Sequence, residues 1–126
     1  KGGQYSKFTY RPFTLEGNFA FAQGVHELFL QTRQGIIEVF PSLPESWKDV
    51  SFRTLRAEGA FLVSAVKEKG KVKEVVVKSE AGGNCLLRLP FTNWTITGID
   101  KSKVKVRDGV MMVMMGKGMT IRVSGE

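Results

Sequence analysis

From Ile36 to the C-terminus, apolar side chains recur in short runs, many with a period of two, and turn residues separate the runs. Nine stretches fit this description: 36–40, 50–57, 60–66, 72–79, 84–89, 94–99, 104–107, 110–115 and 119–123. Alternation of this kind is what a strand with one face buried requires. Lys69-Gly70, Gly82-Gly83, Asp108-Gly109 and Gly116-Lys117-Gly118 punctuate the runs. Asp108-Gly109 is the sharpest signal, because a two-residue type I′ turn needs positive φ at both central positions and these residues tolerate it. Many short strands without crossover helices predict an antiparallel sandwich.

The N-terminal third is patterned differently. Gln4–Thr14 is aromatic-rich and contains Pro12, which suggests an extended lead-in. Between Gly17 and Arg33, Ala22, Val25, Leu28 and Phe29 recur at three- and four-residue steps, with Asn18 as N-cap and Gly35 as a stop. One amphipathic helix is expected there, weakened by about 1 kcal/mol at Gly24. The predicted fold is therefore mainly β, an antiparallel β-sandwich preceded by one amphipathic α-helix. Pro41-Ser-Leu-Pro44 divides it into residues 1–40, the lead-in and helix, and residues 41–126, the sandwich.

Composition narrows the function classes. The chain has 126 residues, 42% hydrophobic and 25% charged, enough for one core without disulfide or metal staples. Its longest uncharged apolar run near the C-terminus, Val110–Met115, is far short of the ~20 residues a membrane-spanning helix needs. The single cysteine, Cys85, has no internal disulfide partner and leaves the compartment open. Lys1 stands where an initiator Met would be, with no apolar leader behind it, so a piece of a longer polypeptide is expected. The net charge of +7 sits mostly in residues 64–126, which hold twelve basic and six acidic side chains. Lys67, Lys69, Lys71 and Lys73, then Lys101, Lys103, Lys105 and Arg107, fall at alternate positions, as on outward strand faces. Solvated faces account for that spacing, and no aromatic ladder interleaves with it, so nucleic-acid binding is not expected.

Each candidate for chemistry has a plain structural alternative. His26 is the only histidine, which removes multi-histidine metal sites. Cys85 beside Leu86 and Leu87 suits a core position. No glycine pattern forms a phosphate cradle. Met111, Met112, Met114 and Met115 suit a strand that buries one set and leaves the other against a neighbouring surface. No cofactor and no metal are expected. The carboxylates of the first half, Glu16, Glu27, Glu38, Glu45, Asp49 and Glu58, are not paired by spacing. Glu16 precedes the expected helix, where the helix dipole also favours a carboxylate.

Phe13-Thr-Leu-Glu-Gly-Asn-Phe19 followed by Gly24-Val-His-Glu-Leu-Phe-Leu-Gln31 resembles the last helical region of the catalytic (α/α)6 barrel in glycoside hydrolase family 95, the α-L-fucosidase family. Ile37-Glu-Val-Phe-Pro-Ser-Leu-Pro44 with Trp47, Leu55-Arg-Ala-Glu-Gly-Ala-Phe61, Gly70-Lys-Val72 and Ser79-Glu-Ala-Gly-Gly83 look like the passage into that family's C-terminal β-domain. The likeness covers residues 11–90. It implies a terminal fragment of a secreted or periplasmic inverting glycosidase acting on α-linked L-fucose or a related sugar. The acid and the asparagine that assists the base lie upstream in such an enzyme. The family's Asp-Gly-Asn-Phe motif supplies a carboxylate to the base machinery, and Glu16 occupies that position. The extra methylene lets it reach further, so either substrate or geometry has shifted or Glu16 no longer acts.

The expected role is a structural β-domain, inactive alone, whose partners are the upstream catalytic domain of the same polypeptide and, in the intact parent, a fucosylated or related glycan. The alternative is an autonomous carbohydrate-binding module that stacks a sugar on Trp94 or Trp47.

Overall fold

The structure, a computed structural model, describes residues 13–16, 29–41 and 47–125. Among the described residues eleven strands run β1 Phe13–Glu16, β2 Leu30–Arg33, β3 Ile36–Val39, β4 Val50–Ala57, β5 Phe61–Glu68, β6 Lys71–Ser79, β7 Gly83–Arg88, β8 Trp94–Thr97, β9 Lys105–Arg107, β10 Val110–Met115 and β11 Thr120–Gly125. All nine runs expected from the alternation are strands, with ends within two residues. β1 and β2 are additions that the alternation does not predict.

The strands form a six-stranded sheet ordered β1-β4-β5-β6-β11-β8 and a five-stranded sheet ordered β2-β3-β7-β10-β9. Seven pairings are antiparallel. Two are parallel, β1 with β4 and β3 with β7, so the sandwich is not purely antiparallel as expected. Both parallel partners are distant in the chain, where no hairpin dictates direction. The Gly82-Gly83 and Gly116–Gly118 segments carry the chain from one sheet to the other. Buried Ser79 ties these crossovers together: its Oγ accepts from Gly82 N at 2.8 Å, its amide donates to the Met119 carbonyl at 2.9 Å, and its carbonyl accepts from Gly118 N at 2.7 Å.

The expected helix is not supported. Its C-terminal part, Leu30–Arg33, is strand β2, and Phe29 just before it is the one α-helical residue among those described. Residues 17–28, with Asn18, Gly24 and His26, lie outside the described residues. Gly35 is not a helix stop but the second central residue of a two-residue hairpin, with φ of 53° at Gln34 and 81° at Gly35 and with Arg33 paired to Ile36. Pairing wins because it sets Leu30 opposite Val39 with both side chains buried. Asp108-Gly109 adopts the same conformation, φ 53° and 77°, between β9 and β10, and Lys69-Gly70 does so between β5 and β6.

One core fills the space between the sheets. The six-stranded sheet contributes Val50, Phe52, Leu55, Val63, Val75, Val77, Ile121 and Val123, and the five-stranded sheet Ile37, Cys85, Leu87, Met111, Val113 and Met115. Each such apolar side chain contributes about 1.5–3 kcal/mol by leaving water. β4 keeps Phe52 and Leu55, three residues apart, on the same face by a bulge. Thr54 has φ of 57° and its amide donates to Ser64 Oγ at 3.0 Å. At one end of the core, Phe29 packs against Phe40, Trp47 and Phe52 with ring centroids 6.1–6.3 Å apart.

The two lysine runs do not lie on single strand faces. Lys67 ends β5, Lys69 is in the turn and Lys71 and Lys73 open β6, while Lys101 and Lys103 sit in a 3-10 turn before Lys105 and Arg107 of β9. None is buried.

Candidate functional site

Glu16 is the last residue of β1, an edge strand, in parallel register with Arg53 of β4. The pairing also sets Phe13 against Val50, Thr14 against Ser51 and Leu15 against Phe52. Phe13 and Thr14, which end the lead-in segment, thus join the six-stranded sheet.

Most other described carboxylates are engaged at the surface. Glu38 meets Arg88 at 3.0 Å and Arg33 at 4.0 Å, Glu80 meets Arg56 at 2.8 Å and Glu74 meets Arg122 at 3.0 Å. Such exposed pairs contribute at most about 1 kcal/mol each. Asp49 Oδ1 accepts from the Lys69 amide at 3.1 Å and braces the β5–β6 turn. Asp100 caps the 3-10 turn, where the Ser102 amide donates to it and holds its carboxyl below the usual range. Glu27 and Glu45 lie outside the described residues. Among the described residues no group of three or more His, Cys, Asp or Glu gathers in a way that could hold a metal ion.

Cys85 is fully buried on β7, and desolvation pushes its thiol up to about 12. A nucleophilic cysteine needs the opposite shift, so Cys85 is core, as its neighbours Leu86 and Leu87 suggest. Both tryptophans are partly buried. Trp47 is partly buried and lies over Phe29 at 6.1 Å with 30° between the ring planes. Trp94 packs partly against the core, and the Lys101 ammonium sits 5.1 Å from its ring centroid.

One feature escapes any reading of the sequence. A depression between the β2 edge and the end of β4 is lined by Gln31, Thr32, Arg33, Arg56 and Glu58. The Glu58 amide donates to Thr32 Oγ1 across it at 3.4 Å. Its residues come from segments more than twenty positions apart, so no local spacing signals it. No helix among the described residues is long and apolar enough to cross a membrane.

Fold and side chains together define a two-sheet β-sandwich domain with an apolar interior and a parallel strand added at one edge. A family model described as glycoside hydrolase family 95, C-terminal domain, matches residues 31–123, from within β2 to within β11. The chain belongs to glycoside hydrolase family 95. It is 35% identical over 83 residues to alpha-L-fucosidase 2 of Arabidopsis thaliana, an alignment that covers 64% of this chain and 10% of that protein. The chain thus spans about a tenth of this relative's length.

Proposed function

We propose that the chain is the C-terminal β-domain of a fucosidase-like glycoside hydrolase and supports an upstream (α/α)6 catalytic barrel. The match of the family's C-terminal domain across residues 31–123 carries this reading. Inverting hydrolysis needs one carboxyl group to protonate the leaving oxygen and a second to activate water on the opposite face of the sugar. In this reading the upstream polypeptide supplies the acid, and Glu16 contributes to the base machinery. Leu30–Val39 pair into the five-stranded sheet, so we place the passage from helical to β-domain before Leu30. The parent acts on an α-linked L-fucoside or a related sugar, in the periplasm or outside the cell.

The test compares the isolated chain with the full parent on an aryl α-L-fucoside. The chain alone is expected to be inactive and the parent active, with Glu16→Gln lowering kcat of the parent by about 10²–10⁴-fold, the range of a lost general base. Hydrolysis by the isolated chain overturns the structural role. Tryptophan emission of the isolated chain is expected to be unchanged by fucosylated glycans, whereas saturable quenching would make it a carbohydrate-binding module.

A further inference from the structure

The strand that carries Glu16 is built into the β-domain. Phe13–Glu16 add to β4 in parallel register, and main-chain hydrogen bonds of such a pair fix a strand along its neighbour to within the ~3.3 Å rise of one residue. β4 is itself firmly held, with Val50, Phe52, Leu55 and Ala57 buried and β5 paired along its other side. The β1–β4 ladder stops at the Glu16–Arg53 pair, and the next residue of β4 is Thr54, whose positive φ makes the bulge. A bulge ends regular pairing and turns the strand.

Resting on the reading of Glu16 given above, we propose that the edge of β4, terminated by the Thr54 bulge, is the positioning element that sets Glu16 against the catalytic centre of the parent. The β-domain then belongs to the catalytic apparatus by geometry and is more than a cover for the barrel. A catalytic group misplaced by about 1 Å can cost about 10²-fold in rate, which is the scale on which loosening β1 acts.

Successive amides of a strand point to opposite sides, so only alternate residues of β1 donate to β4. In the full parent, assayed on an aryl α-L-fucoside, one of Thr14→Pro and Leu15→Pro is expected to lose about 10²-fold in kcat with little change in KM, while the other stays near wild type. Wild-type kcat in both, with Glu16→Gln inactive, overturns this inference and leaves the role of Glu16 standing. An active Glu16→Gln parent overturns both. A second variant reads the pairing without depending on proline tolerance: Thr14→Cys with Ser51→Cys places two cysteines at register partners of neighbouring strands, whose ~4.8 Å backbone spacing lies within the Cα range of a disulfide, while buried Cys85 does not compete. The cross-link is expected to form on mild oxidation and to leave activity intact. Failure to form it, or loss of activity that reduction restores, overturns the proposal.

Discussion

The two faces of the five-stranded sheet use related residues to opposite ends. On the inner face Ile37, Cys85, Leu87, Met111, Val113 and Met115 are at most 2% exposed. On the outer face Met112 and Met114 of the same strand are 42% and 64% exposed, and Arg88 and Glu38 form an ion pair at 3.0 Å. Register explains the contrast: Met111 pairs with Leu87 and Val113 with Cys85 on one side, Met112 with Leu86 and Met114 with Asn84 on the other. Methionine chemistry does not decide which side is wet; strand parity does. The difference teaches where stability resides, since burial and close packing far outweigh exposed contacts.

The sharpest way to break the comparison is to hollow the inner face. Leu87→Ala is expected to lower unfolding free energy by about 2–5 kcal/mol, the range for a buried leucine that leaves a cavity, measured by urea denaturation. A loss under 1 kcal/mol would mean that the two sheets do not share a rigid core. Next comes the buried thiol. Burial pushes its folded pKa up to about 12, above the ordinary thiol value of 9.0, so its contribution is fully present below pH 9 and is lost as pH rises from 9 towards 12. At pH 10 wild type should have lost on the order of 1 kcal/mol through this group. A Cys85→Ala variant should lack that slope, and parallel pH profiles for the two proteins would contradict the burial of Cys85. The smallest effects belong to the outer face. Arg88→Ala is expected to cost under about 1 kcal/mol, diminishing with salt, and Met114→Ala to stay within about 0.5 kcal/mol. A larger loss at Met114 would show that the outer face is covered in solution.

Gly35 and Gly109 show how much of the fold local sequence carries. Both follow a residue that accepts positive φ, and both sit second in a two-residue hairpin. Flanking alternation made Asp108-Gly109 legible as a turn, whereas the three- and four-residue spacing of Ala22, Val25, Leu28 and Phe29 makes Gly35 look like a helix terminus. A glycine with positive φ serves either end equally well. Only pairing with β3, which puts Leu30 opposite Val39 in the core, separates the two. The candidate site divides in the same way. Glu16 stands out through the motif around it, Phe13–Phe19, but its place beside Arg53 depends on a partner 37 positions away in the chain.

Taken alone, then, the sequence determined the nine strands from Ile36 onward, the Asp108-Gly109 turn, the core position of Cys85 and the family, because period, turn chemistry and motif order are local properties. Tertiary structure alone decided the parallel pairings, the strand identity of Leu30–Arg33, the bulge that keeps Phe52 and Leu55 on one face and the docking of β1 on β4. Each of these depends on hydrogen bonds or burial between distant segments, and local propensity is too weak to outweigh them.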